Sequence, residues 1–223
     1  MGRVSQAQAQ QNRARIVATA ARLFRERGIA GVSVADVTAE AGLTHGGFYR
    51  HFASKEALVA EAVTEAFAEQ AATLHDHAEP AALDQLLDAY LSPAHRDHPG
   101  TGCPSAGFGG DIARATIGTT AGTTDGTTEG TTEGTTEGNE TRRAYARGVE
   151  AFAAHLGDHG EPDLATLSTM VGALILSRAT AGTDLSDRIL ADARRALARR
   201  ISPAEALPAA TSAPSPAGDS PRA

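Results

Sequence analysis

The chain has 223 residues, 41% hydrophobic but only 4% aromatic and without tryptophan, so any core must be assembled from Ala, Leu, Val and Ile, which favours packed helices in one large domain or two small ones. A single cysteine, Cys103, excludes an intrachain disulfide framework, and the polar stretch Met1 to Asn12 lacks the charged-then-apolar order of a secretion signal. No apolar run reaches the roughly 18 to 20 residues of a membrane span, so a cytoplasmic protein is expected. The net charge of −7 conceals an asymmetry: residues 1–60 hold eight Lys+Arg against four Asp+Glu, whereas residues 61–223 hold 12 against 23. A local excess of cations, not the overall sign, is what an anionic partner meets.

In chain order, residues 1–12 read as a flexible arm. Arg13 to Arg27 reads as a helix, because Ile16, Ala20, Leu23 and Phe24 recur at helical spacing and Gly28 supplies a left-handed stop. Ser33, three residues before Asp36, starts a second short helix with Val34, Val37 and Ala41 on its apolar side and Gly42 at its end. Thr44 can cap a third, in which Phe48 and Phe52 lie four apart and face inward behind Leu43. The opposite side then shows His45, Gly46, Gly47, Tyr49 and Arg50. Three short helices broken at two glycines form a helix-turn-helix pattern over residues 13–58.

From residue 59 to 200 the spacing predicts a helical bundle. Ser54 caps a helix from Lys55 to His75, with Val59, Val63, Phe67 and Leu74 in its stripe, and Ala82 to Leu91 gives another. A loop is predicted from Pro93 to Pro104, then a brief helix around Phe108, Ile112 and Ala115. Residues 119–138 are five tandem tetrads, Thr-Thr-Ala-Gly, Thr-Thr-Asp-Gly and three of Thr-Thr-Glu-Gly, with glycine at every fourth position and no apolar side chain bulkier than Ala to bury, so the segment 118–139 is read as a disordered insertion. Helical pattern resumes over Glu140 to Leu156, Asp163 to Ala181 and Leu185 to Arg200, and residues 201–223, rich in Pro, Ala and Ser, read as a disordered tail.

The segment from Leu43 to Leu58, with Ile16, Ala20, Leu23, Phe24 and Gly28 upstream, resembles the signature of the TetR family of transcriptional regulators. The resemblance implies an all-α protein: an N-terminal three-helix DNA-binding domain joined to a C-terminal bundle that dimerises and binds a small effector. It implies a homodimer through residues 163–200, double-stranded DNA as partner, a palindromic operator, and repression relieved by a ligand or electrophile. Thr44, His45, Gly46 and Gly47 fall where the family touches bases. Tyr49, His51 and Lys55 fall where it touches phosphates, and Ser33 and Thr44 can add hydroxyl contacts. Each also has a plainer use: Tyr49 as cover for a helix junction, His51 as an internal hydrogen-bond partner, Lys55 as an exposed charge at a helix start. Phe48 and Phe52 are core by spacing.

For an effector the large side chains of the bundle are the expected walls, namely Phe67, Leu87, Tyr90, Phe108, Tyr145 and Phe152, which otherwise serve as core packing. Cys103, in Gly102-Cys103-Pro104, lies near a helix start whose dipole can lower a thiol pKa. The stretch is similar to that of electrophile-responsive members of the family, with an inert buried cysteine as the alternative. His75 with His77, and His95 with His98, invite a metal reading that their spacing does not favour. No cofactor, metal site or enzymatic activity is expected, since no phosphate loop, metal quartet or nucleophile elbow occurs. The competing class is a protein-interaction module that has lost operator binding.

Overall fold

Helix α1 of the computed structural model, which describes residues 6–75, 82–120, 132–157 and 161–201, runs over Gln6–Arg27 and so begins well before Arg13. Part of the presumed arm is therefore helical. Its Gln and Ala residues have high helix propensity, an established helix extends at little cost, and Gln8 Nε2 donates to Asn12 Oδ1 one turn on at 3.1 Å. Residues 1–5 of the arm lie outside the described residues.

Gly28, at φ +75°, ends α1, and α2 (Val34–Glu40) starts on a complete capping box: Ser33 Oγ accepts from the Asp36 amide while the Asp36 carboxylate accepts from the Ser33 amide. Gly42, at φ +67°, turns the chain into α3 (His45–Phe48). This helix is one turn long, shorter than the pattern through Phe52 suggests, and Thr44 sits at its N-cap without a side-chain cap bond. Two glycines in so short a helix do not favour its elongation, and the chain leaves through turn bonds such as His51 N–H to Phe48 O. Ser54 Oγ then accepts from the Ala57 amide at 3.0 Å to open α4 (Lys55–His75).

After α5 (Ala82–Tyr90) the predicted loop contains structure: α6 (Pro93–Asp97) and a 3-10 turn at Pro99–Thr101. Proline at the first helical position costs no hydrogen bond there, and Ser92 Oγ caps the His95 amide, which is why a proline-bounded stretch is helical. The brief helix is the long α7 (Pro104–Thr120), and α8 spans Thr132–Leu156. Both carry helical backbone into the repeat, whose ends at 118–120 and 132–139 are thus not irregular; residues 121–131 and the tail 202–223 lie outside the described residues. Asp163 caps α9 (Leu164–Ala179), and α10 (Asp184–Ile201) follows. Among the described residues there is no strand.

Two apolar cores follow from this order. The first joins Ile16, Leu23 and Phe24 of α1 to Val37, Phe48, Phe52, Leu58 and Val63, and draws in Phe108 and Ile112 of α7. The second collects Leu74, Leu87, Tyr90, Phe152, Leu167, Met170, Leu174 and Leu197. Helix α4 contributes to both and packs against α1 and α8, so it links the N-terminal helices to the bundle. Arg194 ties α10 to Asp84 and Asp88 of α5, and Arg96 of α6 reaches Asp187 at 2.6 Å.

Candidate nucleic-acid interface and cavity

The outer side of α3 is set by what its inner side buries. Phe48 is fully buried and Phe52 nearly so, their rings stacked with centroids 5.3 Å apart, and Arg13 lies 4.8 Å over the Phe52 ring. With those side chains inward, Thr44, His45 and Gly46 are exposed, Gly47 and His51 are half-buried, and Tyr49 is 59% exposed. The Tyr49 ring meets His45 edge-on at 5.5 Å, so an imidazole and a phenol stand together on one solvent face. A Cβ at Gly46 would meet nothing, and one at Gly47 would touch only Thr44 Oγ1 at 3.5 Å. Nothing inside the chain requires either glycine.

Two of the expected DNA-facing residues have internal bonds. Lys55 Nζ donates to the Ile29 carbonyl at 2.6 Å and lies 5.9 Å over the Phe24 ring, joining the start of α4 to the turn after α1. Ser33 Oγ donates to Asp36 Oδ2 at 2.6 Å in the capping box. That hydroxyl, then the Ser33 amide, hold the Asp36 carboxyl below the usual carboxylate range.

Between α1, α4, α5, α8 and the turn before α7 lies a cavity of about 730 Å³. Of the expected effector-wall residues, Tyr90, Cys103 and Phe152 line it, together with Leu74, Leu86 and Gln70. The other four lie elsewhere. Phe67 and Phe108 are in the first core and Leu87 is fully buried in the second. Tyr145 donates its hydroxyl to Ser105 O at 2.8 Å, its pKa pushed up to about 12 by burial and the Cys103 thiol. Helix face explains the sorting: the side on which a residue lies, not its size, decides whether it meets a cavity or a neighbouring helix.

Cys103 is buried, 3% exposed, at the position that starts α7, where its carbonyl accepts from the Gly107 amide. Its own N–H donates to His95 Nε2 at 3.0 Å, and its sulfur accepts from Gln70 Nε2 at 3.7 Å. Because Nε2 accepts, His95 carries its proton on Nδ1 and donates to Tyr90 O at 2.7 Å; burial first, then the Arg178 charge, hold its pKa below the ordinary histidine value against that bond. Gly102 allows the close approach, since a Cβ there would stand 2.8 Å from Arg178 and 2.9 Å from His95 Nε2. Among the described residues no group of three or more His, Cys, Asp and Glu side chains could hold a metal ion. His95 and His98 each use a ring nitrogen on a backbone carbonyl, and His77 lies outside the described residues.

Sequence reasoning missed Arg25. This α1 side chain is buried, donates to Ala21 O and to Gly102 O, and pairs with Glu69 at 2.7 Å, so it reaches from the N-terminal helices to the cavity wall. It also missed Asp111 of α7, whose Oδ2 accepts from the Ile29 amide at 2.7 Å. Neither belongs to a local motif; their partners lie tens of residues away.

Residues 16–62 match the model of the bacterial regulatory proteins of the tetR family. The HTH-type transcriptional repressor DhaR of Mycobacterium sp. (strain GP1) is 31% identical over 103 residues, which cover 45% of this chain and about half, 52%, of that relative. A solved TetR-family regulator from Agrobacterium tumefaciens has a similar fold at 18% identity, TM-score 0.60, covering 86% of this chain and 98% of that one. One from Chloroflexus aurantiacus matches at 22% identity and TM-score 0.56, covering 88% and 97%.

Proposed function

We propose that the chain is a DNA-binding transcriptional repressor of the TetR family, a reading supported by the match of residues 16–62 to the family model, and that it acts in the cytoplasm as a homodimer released from its operator by a small effector. The observation that carries the reading is the outward face of α3. Thr44, His45, Gly46, Gly47 and Tyr49 stand over two buried phenylalanines, and the two glycines, each costing the helix about 1 kcal/mol, have no internal use. A surface without Cβ atoms suits close approach to a groove wall. Tyr49 and His51 are assigned to phosphates, with Ser33 at the flank; Lys55 acts mainly by fixing α4 to the turn after α1.

Residues 13–58 form the reading head and 59–200 the sensing and dimerisation part. Ile175, Leu176, Leu164 and Leu185 are large exposed apolar side chains on and beside α9 and α10, which supports a partner copy there. The cavity beside Cys103 is the effector site. Among the described residues no helix is long and apolar enough to cross a membrane.

Selection of bound sequences from random DNA by the purified protein, followed by footprinting, tests the proposal. The expected product is a palindrome whose half-sites are about one or more helical turns apart, bound with an affinity that falls as salt rises but still separates it from random DNA. Enrichment of no sequence, at low salt as well as high, refutes it.

A further inference from the structure

Among the described residues the cavity wall holds one buried side-chain oxygen without an oxygen or nitrogen partner. Tyr90 is 5% exposed and lines the cavity, and its hydroxyl, beside the Cys103 thiol, bonds to no oxygen or nitrogen among the described residues. The cations on the same wall are already answered: Arg22 pairs with Glu26 and Glu40, and Arg25 with Glu69. His95 has both ring nitrogens engaged. The remaining wall is mostly apolar, with Leu74, Leu86 and Phe152, the last with its ring 6.1 Å from that of Tyr90, beside the uncharged Gln70, Thr73 and Thr101. A charged ligand would find no free counter-charge, and a wholly apolar one would strand the phenol away from water.

We propose that this cavity takes an uncharged, mainly apolar molecule bearing one oxygen or nitrogen that hydrogen-bonds the Tyr90 hydroxyl. The inference rests on the reading of the C-terminal helices as an effector-sensing bundle and names the chemical class of effector. Tyr90 is then the residue that sets specificity, because an apolar analogue that displaces water leaves a buried hydroxyl unpaired, which costs about tenfold or more in affinity.

The test is equilibrium dialysis of the full-length protein with three probes of one shape: 1-naphthol, 1-methylnaphthalene and 1-naphthoate. The expected order places 1-naphthol about tenfold ahead of 1-methylnaphthalene, with 1-naphthoate weakest. In Tyr90→Phe the first two should bind alike. Equal binding of 1-naphthol and 1-methylnaphthalene to the unaltered protein overturns the proposal, as does a preference for 1-naphthoate or no saturable binding of 1-naphthol. These arms need no variant, so poor folding of Tyr90→Phe leaves them decisive. Dialysis involves no DNA: a protein that passes it yet selects no sequence refutes the regulator reading alone, and the reverse result refutes only the effector class.

Discussion

Replacing Arg25 by methionine removes the guanidinium while keeping an unbranched stem under Gly107, whose Cβ position is 2.8 Å from Arg25 Cγ. The pair with Glu69 is asymmetric, the arginine side chain being 4% exposed and the carboxylate 42%. Breaking a fully buried pair costs about 3–5 kcal/mol, but Glu69 reaches water and is not stranded, and the Ala21 carbonyl remains in its helix, so the loss is nearer ~2 kcal/mol. The Gly102 carbonyl, 3.3 Å from the guanidinium, accounts for about half of that. For a chain of this size ~2 kcal/mol lowers Tm by about 4–8 °C, read by circular dichroism. Arg25→Lys, with one compact charge for several donors, should fall between. The reasoning is refuted by a melting change of less than about 1 °C in Arg25→Met. Release of selected DNA by 1-naphthol should also weaken in the variant, with DNA affinity itself little changed.

Tyr49→Ala, at an exposed site, should leave stability within about 0.5 kcal/mol while reducing DNA affinity, whereas Phe48→Ala should cost about 3–5 kcal/mol; a gel shift and a urea titration distinguish the two, and a stability loss in Tyr49→Ala as large as that in Phe48→Ala would contradict the assigned faces. Gly148→Ala drives a Cβ to 2.2 Å from the Phe67 ring, so α8 must move off α4 at a cost of about 1–3 kcal/mol or more; an unchanged urea midpoint would show that the helices already stand farther apart. Because burial holds His95 below its ordinary pKa, the unfolded chain takes up that proton first. Its contribution to stability is therefore complete above the unfolded pKa of ~6.5 and declines as pH falls below it toward the folded value. Urea midpoints measured from about pH 7.5 to 5.5 should fall less steeply in His95→Gln than in the unaltered protein, and equal slopes would count against it.

What was legible in the sequence is local. The stripe of Ile16, Leu23 and Phe24, the Ser33–Asp36 capping box, the left-handed glycines 28 and 42, and the inward pair Phe48 and Phe52 are each fixed by residues within a turn or two of one another. The length of α3 was not, because helix continuation past Phe48 depends on how Tyr49 to Ser54 are drawn toward α4. Nor was α6, whose five residues carry no amphipathic period and are held by Arg178 donating to the His95 and Arg96 carbonyls. The repeat misleads in the opposite sense: its composition argues against helix, yet α7 and α8 carry helical backbone into its ends. The cavity could be predicted only as a set of large side chains, because whether Tyr90 or Leu87 faces it depends on the roll of α5 against α8.

The residues missed are those that join the two parts of the molecule, and under the proposed function their arrangement constrains how a ligand would be felt at the DNA. The end of α1 is gripped from three sides: Arg25 by Gly102 O beside the cavity, the Ile29 amide by Asp111 of α7, and the Ile29 carbonyl by Lys55 of α4. Gly28, whose Cβ position is 3.1 Å from the Asp111 carboxylate, leaves little room for slack there. Helices α1 to α3 share one close-packed core, so they shift together more readily than they deform. Coupling then requires that the ligand bind the two placements of the Gly102-Cys103 turn with different affinity, and no contact between ligand and reading head is needed. On this account a ligand that fills the cavity without displacing that turn binds tightly and releases no DNA, which separates affinity from induction in any series of analogues.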